Sequence, residues 1–280
     1  MRLMRVGPLG GERPAVMDAD GVVYDLSPLT ADIDEDFLGA NGVVAVERAL
    51  AAEALPRRAI TGERIGAPVA RPGKVICVGP NYRKPPPFEP PVEPALFLKA
   101  PDTVVGAYDQ VLIPRGGTAV DWEIELAVVV GATARYLDGP ADAKAVIAGY
   151  AISHDVSERA FQHERGGTID KGKCCETFNP LGPWLVTPDE LSDPTDLRLR
   201  LWVDGEVRQD ASTRDMIFDP AQLVWYASQF MVLRPGDILN TGTPPGCAIG
   251  LPGRPYLRAG QIVELEVTGL GRQRQVIGTA

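Results

Sequence analysis

The chain has 280 residues, 45% of them hydrophobic and 23% charged, which is enough to bury a full core in one or two domains. Its net charge of −9 repels nucleic acid and anionic membranes, and no basic patch with interleaved aromatics offsets it, so neither is expected as a partner. The longest apolar stretches, such as 126–130, have core-strand length, and no apolar signal core follows the charged N-terminus, so a cytoplasmic protein is expected.

In chain order, residues 3–6, 14–17 and 22–26 read as short strands, with Asp20-Gly21 as a hairpin signal. Residues 35–54 read as one Ala-rich helix stopped by Pro56. Together 1–70 form a small N-terminal α+β domain, and Ala70-Arg71-Pro72-Gly73 marks the boundary to a larger domain, 71–280. There, 75–78, 95–99, 121–130, 145–153, 197–203, 238–240 and 262–268 read as strands. The proline-laden tract 81–91 supports neither a helix nor a central strand and reads as a loop of polyproline character. Residues 220–232 read as a helix ending before the turn Leu233-Arg234-Pro235-Gly236-Asp237. Strands do not alternate regularly with helices, which disfavours a doubly wound sheet. GxGxxG, P-loop and GxSxG motifs are all missing. The fold class expected is therefore α+β and strand-rich. Cys77, Cys174, Cys175 and Cys247 show no CxxC spacing and are expected to be reduced.

The chemistry concentrates in acids. On a strand, Asp121, Glu123 and Glu125 share one face by the period of two. A solvated edge strand would tolerate this, but the apolar run 126–130 carries the strand into a core, and carboxylates at the end of a buried strand call for a cation. Asp155 stands where the apolar segment 146–152 would leave the core. An all-oxygen site of this kind suits Mg²⁺ or Mn²⁺, whereas two histidines and no thiolate cluster argue against zinc. His154 is expected to pack or support its neighbour rather than bind the ion. Arg159 and Gln162 follow Asp155 by four and seven positions, which on a helix puts all three on one face. Lys173, in a loop-like run opened by Gly172, is placed to neutralise an enolate or a carboxylate.

The blocks DWEIEL (121–126), HDVSERAFQ (154–162), GKCCETFNPLGPWLVT (172–187) and LRPGDILNTGTPPG (233–246) resemble the signature blocks of the fumarylacetoacetate hydrolase family, over about residues 71–278. The resemblance implies a mixed β-roll core, a homodimer, and Mg²⁺ or Mn²⁺ on Glu123, Glu125 and Asp155. It implies catalytic roles for Arg159, Gln162 and Lys173 and a substrate contact for Thr243. Tyr82 and Lys99 are further candidates for substrate binding. The implied substrates are small β-diketo or 2-oxo acids. The implied reaction is C–C bond hydrolysis, as in acylpyruvate hydrolases. Decarboxylation or isomerisation of a related keto-enol acid is the alternative, and a non-catalytic metal- or ligand-binding relative is the alternative of another class.

Two positions depart from the family pattern. Small members of the family follow Asn-Tyr with a His and, three residues later, a Glu that together activate water. Here Asn81-Tyr82 is followed by Pro85 and Phe88 at those places, leaving Glu89 as the candidate base. His154 stands where the family often has Asn.

Overall fold

A computed structural model describes residues 1–84, 86–191 and 193–280; Pro85, which stands where the resemblance calls for a histidine, lies outside the described residues. The first 70 residues supply β1 (Arg2–Val6), β2 (Arg13–Met17), β3 (Val23–Asp25), α1 (Glu35–Gly39) and α2 (Gly42–Ala51). Next come β4 (Val75–Val78), β5 (Leu96–Lys99), β6 (Val104–Gly106), β7 (Val111–Ile113), β8 (Val120–Asp121) and β9 (Ile124–Val130). They are followed by α3 (Pro140–Lys144), β10 (Ile147–His154), β11 (Ser157–Glu158), α4 (Arg159–Glu164), α5 (Ile169–Lys173) and β12 (Asn179–Val186). The chain closes with β13 (Arg198–Val203), β14 (Glu206–Ser212), α6 (Pro220–Ala227), β15 (Ile238–Asn240), β16 (Ile262–Val267) and β17 (Gly271–Thr279).

The fold is α+β and strand-rich, as expected. A ten-stranded sheet runs β3-β2-β1-β12-β10-β9-β15-β4-β5 with β6 on β12, and a five-stranded sheet runs β14-β13-β16-β17-β7. Most neighbours are antiparallel, but β15 with β4, β12 with β6 and β17 with β7 are parallel, so both sheets are mixed. One core joins the two sheets: Ile124, Leu126 and Ile152 of the larger sheet with Leu201, Leu265 and Ile277 of the smaller, and with Leu223 and Val224 of α6. None of the described helices is long and apolar enough to cross a membrane. All four cysteines are free.

The first 70 residues extend the large sheet rather than building one of their own, because β1 pairs with β12 through Arg2↔Val186 and Leu3↔Leu185. Their apolar cluster, around Leu3, Ile33, Phe37 and Val46, includes Val129, Ala148 and Leu185 from beyond the boundary. The single helix expected over 35–54 is two. Asp34 caps α1 through the Phe37 N–H at 3.0 Å, and Asn41 turns left-handed (φ 59°) before α2. The helix expected to reach residue 232 ends at Ala227, where the Ser228 hydroxyl takes the Trp225 carbonyl at 2.7 Å. The strand expected over 121–130 breaks at Trp122-Glu123, since the Ile124 N–H goes to Gln209 Oε1 (3.0 Å) instead of to a neighbouring strand. Strands β12 and β17 fall in segments that the hydrophobic pattern leaves unassigned. Two buried glutamines compensate in β17: the Gln273 amide donates to the Ile152 and Gly182 carbonyls (2.8 and 3.0 Å) and the Gln275 amide to the Ala107 carbonyl (2.6 Å).

Candidate active site

The site grows from the pairing of β9 with β10. Ser153 lies opposite Glu125 and His154 opposite Ile124, and the Asp155 N–H donates to the Glu123 carbonyl at 2.9 Å. This register brings Glu123, Glu125 and Asp155 to one point, with candidate ligand oxygens all within 4.8 Å of one another and all three residues buried. The strand breaks between Asp121 and Ile124, so the expected alternation does not hold across all three acids; Asp121 reaches the site through Arg159, which it shares with Glu123, while Ile124 and Leu126 turn to the core.

The cations come from elements that follow. Asp155 sits in the connection after β10, not on a helix, so the helical spacing expected of Asp155, Arg159 and Gln162 is not what aligns them. Arg159 opens α4 and reaches back, with Nε on Asp121 at 2.9 Å, Nη2 on Glu123 and Nη1 donating to Gln162 Oε1 at 3.1 Å. Lys173 is the last residue of α5, where a loop was expected. Its ammonium donates to Glu123 Oε2 (2.7 Å), Asp155 Oδ2 (2.6 Å) and the Asp155 carbonyl (3.0 Å). Lys99 lies beneath the cluster with its side chain fully buried, donating to Asp155 Oδ1 and the Phe178 carbonyl, both at 2.5 Å. It does not line the cavity above the acids. The substrate contact expected of Lys99 is therefore corrected to a support for Asp155, because protein acceptors already hold its ammonium.

Electrostatics single out Glu125. Four buried carboxylates, counting Asp121, face three cations, and none of the three bonds Glu125. Its hydrogen-bond donor is the Gly242 N–H at 2.6 Å. Burial pushes the Glu125 carboxyl well above the usual carboxylate range, and the Asp155 and Glu123 charges add to the push. Burial works the same way on Asp155, but the Lys173 and Lys99 ammonium groups outweigh it and hold that carboxyl at about 2. On Glu123, burial is likewise outweighed by Lys173 and Arg159, which lower its pKa. Three clustered carboxylates, one with no counter-charge, form a donor set that fits a hard divalent cation.

A cavity of about 490 Å³ opens above the acids. Arg159, Gln162, Lys173, Tyr82 and Thr243 line it together with Glu123 and Glu125. The Tyr82 hydroxyl is buried and has no hydrogen-bond partner among the described residues. The Thr243 hydroxyl is engaged by protein, donating to the Ile124 carbonyl and accepting from Gln209 Nε2, both at 2.9 Å. Glu89 is exposed and is not among the residues lining the cavity. His154 points away from the site. Its Nδ1 lies 3.1 Å from Gln275 Oε1, and burial drives its pKa down to about 3, so the ring is neutral and packs between the two sheets.

Sequence reasoning missed three supports. Asp121 anchors Arg159 and accepts the Ala248 N–H at 2.6 Å; the alternation of acids pointed to it, but not to this role. Gln209 binds the Thr243 hydroxyl and the Pro244 carbonyl (2.7 Å) from a polar-looking strand that carries no signal. Gly242, at φ 92°, lets its N–H approach Glu125; a Cβ there would lie 2.8 Å from that of Asn81.

The model of the fumarylacetoacetate (FAA) hydrolase C-terminal domain matches residues 71–278. The chain belongs to the fumarylacetoacetate hydrolase family. A Burkholderia multivorans protein named as a hydrolase is 46% identical over 285 residues, covering 100% of both chains. Among solved structures, a probable 2-hydroxyhepta-2,4-diene-1,7-dioate isomerase from Mycobacterium abscessus aligns with TM-score 0.84 and 32% identity, covering 100% of this chain and 99% of that one. Maleylpyruvate hydrolase from Sphingobium sp. SYK-6, solved with manganese(II) and pyruvate, aligns with TM-score 0.82 and 29% identity over 100% of both chains. Hydrolase and isomerase activities thus both occur among the relatives of this family enzyme.

Proposed function

We propose that this enzyme binds Mg²⁺ or Mn²⁺ through Glu123, Glu125 and Asp155 and hydrolyses a C–C bond of a small β-diketo acid of the acylpyruvate type. The observation that carries the reading is the buried Glu125 carboxylate without a counter-charge, set on the floor of a cavity lined by donors. When bound, the ion supplies Lewis-acid polarisation of the 2-oxo acid oxygens.

The residues divide the remaining work. Arg159 and Lys173 hold Glu123 and Asp155 in place. The Gln162 carbonyl oxygen is taken by Arg159, which leaves its amide N–H groups to donate towards substrate. The unpartnered Tyr82 hydroxyl is a second donor. Thr243 orients the cavity wall, because its hydroxyl already serves Ile124 and Gln209. In the reaction, water adds to the acyl carbonyl, the bond to the pyruvyl methylene breaks, and the leaving pyruvate takes a proton at that carbon. The manganese and pyruvate named with the Sphingobium hydrolase support this reading. On the same reading the enzyme is a cytoplasmic homodimer, and light scattering on the eluted peak tests the dimer.

A second reading, decarboxylation or isomerisation of a keto-enol acid, draws on one observation. Glu89, the candidate base for water activation, lies outside the cavity. Incubation of the Mn²⁺-loaded protein with acylpyruvates and with oxaloacetate separates the readings. Pyruvate plus a carboxylic acid is the expected outcome. Carbon dioxide from oxaloacetate without acylpyruvate cleavage selects the second reading. No turnover of any keto acid, with Mn²⁺ bound, sinks both and leaves a binding protein.

A further inference from the structure

One row beyond Glu125, the large sheet buries a pair of amides that the acids do not touch. Along β15 the period of two puts Asn240 on the same face as Ile238, and along β12 it puts Asn179 on the same face as Leu181. Ile238 and Leu181 belong to one apolar cluster with Cys77, Ala127 and Ala151. Both asparagines are fully buried, and the Asn240 amide donates to Asn179 Oδ1 at 2.8 Å. Strands β9 and β10 lie between β15 and β12 in the sheet. Asn240 stands opposite Ala127, the next residue after Glu125 on its face of β9, and Ala127 stands opposite Ala151. Two methyl side chains thus leave room for the amides to meet above them. The bond is not a stability optimum. Asn240 Oδ1 and Asn179 Nδ2 are buried without a hydrogen-bond partner among the described residues. Leucines of similar size would fill the layer without that penalty.

The two strand ends that the pair connects are those that support the acids. Asn240 precedes the Thr241-Gly242 turn, whose Gly242 N–H donates to Glu125 at 2.6 Å. Asn179 follows Phe178, whose carbonyl accepts the Lys99 ammonium at 2.5 Å, and the same ammonium holds Asp155 Oδ1 at 2.5 Å. One side-chain bond therefore ties the support of Glu125 to the support of Asp155. We propose that Asn179 and Asn240 are positioning residues that fix the separation of the Glu125 and Asp155 carboxylates and thereby set which divalent ion the three acids prefer. This rests on the metal-binding reading above and specifies what governs its ion choice. A rigid spacing suits Mg²⁺, which demands short bonds in regular geometry, whereas a loosened one admits the larger and more adaptable Ca²⁺.

The test uses the full chain with Asn179→Leu and Asn240→Leu combined, which removes the bond and both unmatched atoms together. Mn²⁺ binding is followed by electron paramagnetic resonance, and Mg²⁺ and Ca²⁺ are titrated against it in competition. The expected result is a metal-free melting temperature equal to that of the unaltered protein or higher, with Mn²⁺ affinity lower by about tenfold and the Mg²⁺-over-Ca²⁺ ratio reduced severalfold. The ratio is the readout that a structural role would not move, because damage to the fold weakens all three ions together. An unaltered ratio overturns the proposal, and with a lowered melting temperature it makes the pair a structural contact only. Should the double variant fail to fold, Asn240→Ser, whose hydroxyl is too short to reach Asn179, carries the same measurements with smaller expected changes in the same directions. Failure of the unaltered protein to bind Mn²⁺ removes the metal-binding reading and this role with it.

Discussion

The floor and the mouth of the cavity are built differently. On the floor, each carboxylate comes from a strand or a strand end, and ladder pairing sets its position: Ser153↔Glu125 and the Asp155 N–H to the Glu123 carbonyl. The cations there are buried and tied to two or more acceptors apiece. At the mouth, Lys84 and His163 stand in solvent on a proline-rich tract and a six-residue helix. Buried charges demand fixed geometry, since an unmatched ion in the interior is costly, whereas exposed charges can change with little effect on stability. The acids of the floor are thus held in fixed geometry, whereas the residues at the mouth can differ at little cost to stability.

The largest expected effect breaks the floor at its unbalanced charge. Glu125→Gln should weaken Mn²⁺ binding by roughly a hundredfold or more and abolish turnover, while raising the melting temperature of the metal-free protein at neutral pH by roughly 2–4 °C, since the amide escapes the cost of holding a carboxyl whose pKa burial has raised above its unfolded value. Calorimetry and thermal melts with and without Mn²⁺ read both; a lower melting temperature in the metal-free state would contradict the charge assignment. Next in size is Asp121→Asn. It keeps the shape but removes the charge that anchors Arg159, so kcat should fall by about 10- to 100-fold while Mn²⁺ affinity changes by much less. Equal losses in both would mean that Asp121 acts on the metal site directly.

Gly242→Ala tests the contact between the 241–243 turn and the floor. Its Cβ would meet Asn81 at 2.8 Å on a backbone at φ 92°, so a loss of about 1–3 kcal/mol is expected in urea unfolding. A neutral outcome would show that the Gly242 approach to Glu125 is adjustable. The smallest effect belongs to Tyr82→Phe, which removes one donor from the wall. KM should rise about fivefold to tenfold with the fold intact, as read from initial rates with an acylpyruvate. An unchanged KM would take Tyr82 out of the substrate contact.

These comparisons also show what could be read without coordinates. Glu123 and Glu125 were legible as acids at the mouth of an apolar strand, but the single strand inferred to carry Asp121 with them breaks between Asp121 and Ile124. Asp155 was legible as the exit of a second apolar run. Arg159 and Lys173 were found, but by blocks of resemblance and not by the geometry inferred for them. The helical spacing from Asp155 does not exist, and the loop around Lys173 is a helix end. Lys99 was misplaced because nothing local distinguishes a lysine that faces substrate from one that supports an acid from below.

By itself the sequence determined the alternating acids, the apolar strands that bury them and the prolines that prevent a helix after Tyr82, because each depends on residues within a few positions of one another. The tertiary structure decided which cation answers which acid. It also left Glu125 without one, joined the first 70 residues to the main sheet, and turned Gln209, Gln273 and Gln275 inward. Those contacts join residues far apart in the chain, and no local period or propensity encodes a partner that only folding brings within reach.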